Sequence, residues 1–124
     1  MQATLYIAPD PQRWVFTQLH SPMIKLVYCI TKKEGMSSDQ FFEYWRNVHG
    51  PIGARIPGLV RLVQSHVVTN PGDRAAPDFD GMAELWFNSW EDLIRARSSP
   101  EWAASSADDP GGRGEVRLYS AGRG

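Results

Sequence analysis

The stretch MSSDQFFEYWRNVHGP at residues 36–51 constrains this chain more than any other, because it states where a helix begins and what stands at its end. Ser37 and Gln40 have the spacing of a capping box, and Met36 is placed to pack on Phe41 as a hydrophobic staple. Phe41, Trp45 and Val48 recur on one helical face, while Phe42, Trp45 and His49 lie along its neighbouring edge. Gly50 is expected to take the left-handed conformation that ends a helix, and Pro51 cannot continue the hydrogen-bond ladder. His49 is therefore expected in the final turn, beside aromatic rings.

A chain of 124 residues fits one domain and can bury a core without staples. A formal charge of -1, with no cluster of basic residues interleaved with aromatics, argues against nucleic acid as a partner. No apolar run approaches the roughly 20 residues that cross a bilayer, and no basic start precedes an apolar stretch, so the expected location is cytoplasmic with no membrane partner. Cys29 stands alone, which excludes an internal disulfide and a cysteine zinc cluster. Within an apolar strand it reads as a buried, inert thiol. The five tryptophans fill a core or line a pocket for flat ligands, and composition does not separate the two.

Residues 1–22, punctuated by Pro9, Pro11 and Pro22, read as an N-terminal extension, either an arm or an edge strand on a domain at 23–120, with 121–124 as a tail. Residues 24–31 form a strand with apolar residues on both faces. Residues 59–68 form a second strand, with Leu62, Gln64, His66 and Val68 on one face. Turn formers at 69–79 lead to a third strand at 82–87, on which Met82, Glu84 and Trp86 alternate with Ala83, Leu85 and Phe87. Ser89 caps a second helix with Trp90, Leu93, Ile94 and Ala96 available for burial, and Pro100 opens a short helix over 100–106. A flexible run at 108–114 precedes a last strand at 115–119. This order is the split βαβ arrangement: an α+β, ferredoxin-like βαββαβ fold with a four-stranded antiparallel sheet and both helices on one face. The other face is expected to be covered by a second subunit packed sheet on sheet.

The runs KLVYCITKKEGMSSDQFFEYWRNVHGPI, IPGLVRLVQSHVV, DFDGMAELWFNSWEDL and SSPEW resemble the EthD family of dimeric α+β-barrel proteins over residues 23–109. Tyr44-Trp45-Arg46 with His49-Gly50-Pro51 is the most specific part, and the run from Asp80-Gly81 to Trp86 is an independent match. The resemblance implies a ferredoxin-like fold pairing into a homodimer, with a pocket between sheet and helices. The family takes its name from a protein needed in ether degradation and includes fungal polyketide-pathway decarboxylases. Its wider superfamily holds muconolactone isomerases, polyketide cyclases and cofactor-free monooxygenases. This chain departs from the pattern in its longer leader and in the short, Gly-rich segment after Trp102.

His49 is the first candidate for catalysis, since imidazole takes and gives a proton near neutrality; the alternative is a histidine that caps the last helical carbonyls. His66 is the second, facing a pocket and sharing a proton with His49, or else a histidine of the sheet face. Substrate-binding candidates are Tyr28, Tyr44, Trp45, Gln64, Asp80, Glu84 and Trp86. Asp80 serves equally as a turn residue, and Glu84 and Trp86 qualify only if their face of the strand is the cavity. No paired-histidine spacing, Gly-rich phosphate loop or Gly-x-Ser-x-Gly elbow occurs, so neither a metal nor a nucleotide cofactor is expected. The chain reads as a cofactor-independent acid/base enzyme, a lyase or isomerase acting on a small oxygenated aromatic, lactone or polyketide-like molecule. A cofactor-free monooxygenase and a non-catalytic binding protein are the alternatives.

Overall fold

The computed structural model describes residues 2–7, 23–68, 72, 78–108 and 111–121, without the side chains of 2–7, 112–116 and 121. Its elements are β1 (Gln2–Ile7), β2 (Met23–Lys32), α1 (Ser38–Tyr44), a π-helical turn (Trp45–His49), α2 (Gly50–Gly53), β3 (Leu59–Val67), β4 (Gly81–Phe87), α3 (Trp90–Arg97), α4 (Pro100–Ala107) and β5 (Gly111–Ala121). The strands form one antiparallel sheet in the order β1-β3-β4-β2-β5. The last four are the expected ferredoxin-like core. Within the leader, Gln2–Ile7 adds a fifth strand along the β3 edge, pairing from Gln2 opposite Val67 to Ile7 opposite Leu62. The rest of the leader and most of the 69–79 connection lie outside the described residues.

The start of α1 is as its residues dictate. Ser37 Oγ accepts the Gln40 backbone N–H at 3.1 Å, and the Gln40 side chain accepts the Ser37 N–H at 3.0 Å. Its end is not. Gly50 is right-handed, at φ -56 and ψ -51, and the helical path continues through Pro51 to Gly53, with Ala54 as C-cap. Pro51 lacks an N–H and its ring crowds the carbonyl four residues back, so an unbroken α-helix is disfavoured there. A π turn, in which the Gly50 N–H reaches back to the Trp45 carbonyl, carries the chain across this point and leaves Pro51 in the first turn of α2. The wider turn rotates each residue through a smaller angle. Val48, which helical spacing put on one face with the buried Phe41 and Trp45, is 41% exposed, and His49 is half-buried against the protein.

One face of the sheet carries the core. Leu26, Tyr28 and Ile30 of β2, Leu62 of β3 and Leu85 of β4 pack against Phe41, Trp45, Leu93 and Ala96 from the helices. Each large apolar side chain buried there contributes about 1.5–3 kcal/mol. Of the four residues of α3 available for burial, Leu93 and Ala96 are buried, while Trp90 and Ile94 are 46% and 44% exposed. Two glycines permit close approaches. A Cβ on Gly81 would run into the Trp45 ring and stand 2.9 Å from the Ser65 carbonyl oxygen, and one on Gly111 would collide with the Thr31 carbonyl. Gly111 and Gly112 belong to β5, paired with Lys32 and Thr31, so this stretch is strand rather than the expected flexible run.

On the other face, Lys25 lies 3.2 Å from Glu84 and 5.1 Å from the Trp86 ring centre, and the Arg61 guanidinium lies 4.6 Å from the same ring. Val27 and Val63 beside them are buried within the single chain. That face is more polar, and less open, than an apolar surface awaiting cover. No helix of the described residues is long and apolar enough to cross a membrane.

Candidate active site

A pocket opens between the helices and the inner sheet face. Its floor is Tyr28, Ile30, Leu62, Gln64, Ala83 and Leu85; one wall is Trp45, His49, Gly50 and Gly53, and the other is Trp102, Ser105 and Ser106 of α4. The cavity holds about 40 Å³. That is room for water but not for a ring, so a ligand must displace part of the wall.

His49 is positioned by Asp108. Its Nδ1 lies 3.0 Å from the Asp108 carbonyl oxygen and 3.2 Å from Oδ2 of the same residue. Both are acceptors, so Nδ1 carries the ring proton and the neutral ring has its lone pair on Nε2. Asp108 is the C-cap of α4, and its other carboxylate oxygen accepts the Tyr44 hydroxyl. That hydrogen bond, then burial and the carboxylate charge, raises the Tyr44 phenol above its ordinary value. Tyr44 therefore serves the site by holding Asp108; it is not among the lining residues.

His66 is 3% exposed and stacks between Phe42, at 4.9 Å between ring centres, and Trp45, at 4.7 Å. Gln64 Nε2 donates to the Trp45 carbonyl at 2.7 Å, which turns Gln64 Oε1 toward His66 Nε2 at 3.1 Å. His66 therefore donates from Nε2, and its buried Nδ1 has no hydrogen-bond partner. Burial, with a contribution from the Arg46 charge, lowers its pKa from 6.5 to about 4. It is a neutral ring packed behind the pocket wall, and its hydrogen bond goes to Gln64 rather than to His49.

Of the expected site residues, the pocket thus gathers Tyr28, Trp45, His49 and Gln64. Asp80 does not reach it: its carboxylate accepts the Lys32 N–H at 2.8 Å, and its backbone ties Val67 to Ile30, which is turn chemistry. Glu84 and Trp86 do not either, because alternation puts them on the outer face with Lys25. Sequence reasoning missed Trp102, Ser105, Ser106 and Asp108. The SSPEW run reached Trp102, and the small residues that follow it were the only sign that α4 forms a wall rather than a core helix. Ser105 Oγ and the Trp102 indole N–H have no hydrogen-bond partner among the described residues. Among those residues no three His, Cys, Asp or Glu side chains gather as a metal site.

Residues 33–112 match the family model described as the EthD domain. Over 74 residues, 56% of this chain and 68% of the relative, the sequence is 35% identical to a 4-carboxymethyl-4-methylbutenolide mutase of Pseudomonas reinekei. The fold superposes on the crystal structure of an EthD family protein from Bacillus halodurans with a TM-score of 0.65 and 25% identity, covering 80% of this chain and 98% of that one. It also superposes on a variant of SnoaB, a cofactor-independent oxygenase from Streptomyces nogalater, with a TM-score of 0.57 and 17% identity over 82% of this chain and 94% of that one. The latter is a likeness of fold alone.

Proposed function

This chain belongs to the EthD family, and we propose that it is a cofactor-independent acid/base enzyme of the isomerase or lyase type, acting on a small oxygenated ring of the lactone or aromatic-acid class. The observation that carries this reading is the hydrogen-bonding of His49, whose Nδ1 is held by two oxygens of Asp108 on the rim of an apolar pocket. A histidine held in this way presents Nε2 as a base. The name of the Pseudomonas reinekei relative supports an isomerisation on a butenolide-like ring.

In that mechanism Nε2 of His49 removes a proton from a carbon next to the ring carbonyl. The electron pair moves onto the carbonyl oxygen, and the imidazolium returns the proton at a second position, so atoms and charge balance without an oxidant. Trp45 and Trp102 supply flat apolar walls above Leu62 on the floor, and Ser105 and the Trp102 indole N–H are donors for substrate oxygens. Tyr28 and Gln64 border the same floor. His66 takes no proton in this scheme; it props Trp45. The same reading takes the protein as a cytoplasmic homodimer paired through the outer sheet face, and sedimentation tests the pairing.

The enzymatic test is liquid chromatography with mass detection, which separates an isomer of unchanged mass by its retention, on a panel of lactone and aromatic acids, with wild-type protein and His49→Ala, under air and under nitrogen. Rearrangement or mass loss that needs His49 but not oxygen is expected, with at least about a hundredfold loss of rate in the variant. Equal turnover by a folded His49→Ala protein overturns the mechanism. A product that gains oxygen only under air reassigns the pocket to monooxygenation.

A further inference from the structure

We propose that Asp108 is the positioning residue of this site, fixing the ring proton of His49 on Nδ1 and so choosing Nε2 as the atom that meets the substrate. This rests on the acid/base reading of His49 and deepens it by assigning the choice of reacting nitrogen to one residue. Two independent contacts carry it. Asp108 presents both its backbone oxygen, at 3.0 Å, and a carboxylate oxygen, at 3.2 Å, to one imidazole nitrogen. A lone capping contact would use one of them. The second carboxylate oxygen is itself held by the Tyr44 hydroxyl, so the carboxylate is tied on both sides. Such outer hydrogen bonds to a functional histidine set its tautomer and ring orientation.

The placement of Asp108 adds a consequence. It ends α4, the same helix that brings Trp102 and Ser105 to the pocket wall. One element therefore sets both the wall against which a ring must settle and the direction of the base. The cavity of about 40 Å³ admits no ring without movement of a wall.

The test reads the tautomer in the absence of substrate. Nitrogen-15 NMR of imidazole-labelled wild-type protein above neutral pH is expected to find the His49 proton on Nδ1, with slow exchange of that N–H. Asp108→Ala keeps only the backbone acceptor, and the N–H signal is expected to broaden through faster exchange with a growing fraction of the Nε2–H form. Tyr44→Phe, which leaves Asp108 in place but frees one side of its carboxylate, is expected to do the same to a smaller extent and guards against an Asp108→Ala protein that fails to fold. In turnover, Asp108→Ala should lower kcat about 10- to 100-fold with little change in KM, because the residue does not touch substrate. A wild-type proton on Nε2, or an N–H signal unchanged in both variants, overturns the proposal. Since the NMR arm needs no catalysis, it stands apart from the His49→Ala experiment, which alone decides whether His49 is the base.

Discussion

The indole of Trp45 lies against Gly81 so closely that a side chain at position 81 would have to occupy the same space. A Cβ there would stand 2.7 Å from ring atom Cη2 and 2.9 Å from the Ser65 carbonyl oxygen. Trp45 is 1% exposed, stacks on Phe41 and His66, and its backbone carbonyl accepts from both Gly50 and Gln64. The aromatic at the start of the π turn is thus pinned to the first residue of β4, and the pinning sets where His49 emerges four residues later.

Gly81→Ala is therefore expected to destabilise the fold by about 2–3 kcal/mol, the upper part of the roughly 1–3 kcal/mol range for forcing extra carbon into a packed site, because a ring and a backbone oxygen must both give way. Urea unfolding measures this. A loss under about 0.5 kcal/mol, the usual scale of surface substitutions, means that the Trp45 ring is free to shift and is not the anchor described.

His66 predicts an acid-sensitive window. Its folded pKa of about 4 is below the 6.5 of the free side chain, so the unfolded chain binds the additional proton below pH 6.5. Its contribution is then undiminished above about pH 6.5, falls as the pH drops from there to about 4, and changes no further below that. The loss is on the order of 3 kcal/mol for a shift from 6.5 to about 4. Denaturation midpoints between pH 7.5 and 4 should show this slope in the wild type. They should show a flatter one in His66→Phe, which keeps a ring between Phe42 and Trp45 but does not titrate. Parallel slopes in the two proteins assign the acid sensitivity to other groups.

What was legible in the sequence was what local chemistry decides. The Ser37–Gln40 box, the Ser89 cap, Pro100 at the head of α4 and the alternation along β3 and β4 each involve residues a few positions apart, and each stands where its spacing puts it. The π turn was not legible. It answers to Pro51, but the Trp45 carbonyl that takes the Gly50 N–H also accepts a hydrogen bond from Gln64 on β3, a partner 19 positions along the chain. Alternation likewise separated Glu84 from Leu85 correctly, but it cannot say which set the helices will cover. Asp108 was hidden for the plainest reason: 59 positions separate it from His49, and nothing in a short run ending a helix says which side chain it will meet.

Gly53 offers a way to separate stability from function at the pocket. It belongs to α2 and faces the cavity, where an added Cβ would meet Leu62 Cδ2 at 3.5 Å and Ser105 Oγ at 3.6 Å, both ordinary contacts. Gly53→Ala thus needs no rearrangement, and replacing glycine by alanine in a helix reduces the entropy lost on folding, so stability should hold or rise by up to about 1 kcal/mol. The same methyl takes up part of a space of only about 40 Å³, between Leu62 on the floor and Ser105 on the opposite wall. A ring that must already displace a wall then meets a further obstruction, and kcat/KM should fall by about tenfold or more, chiefly through KM, since His49 and Asp108 are untouched. Thermal melting and steady-state kinetics on one preparation decide it. Unchanged kcat/KM in a protein of equal or greater stability means that substrate does not use this cavity.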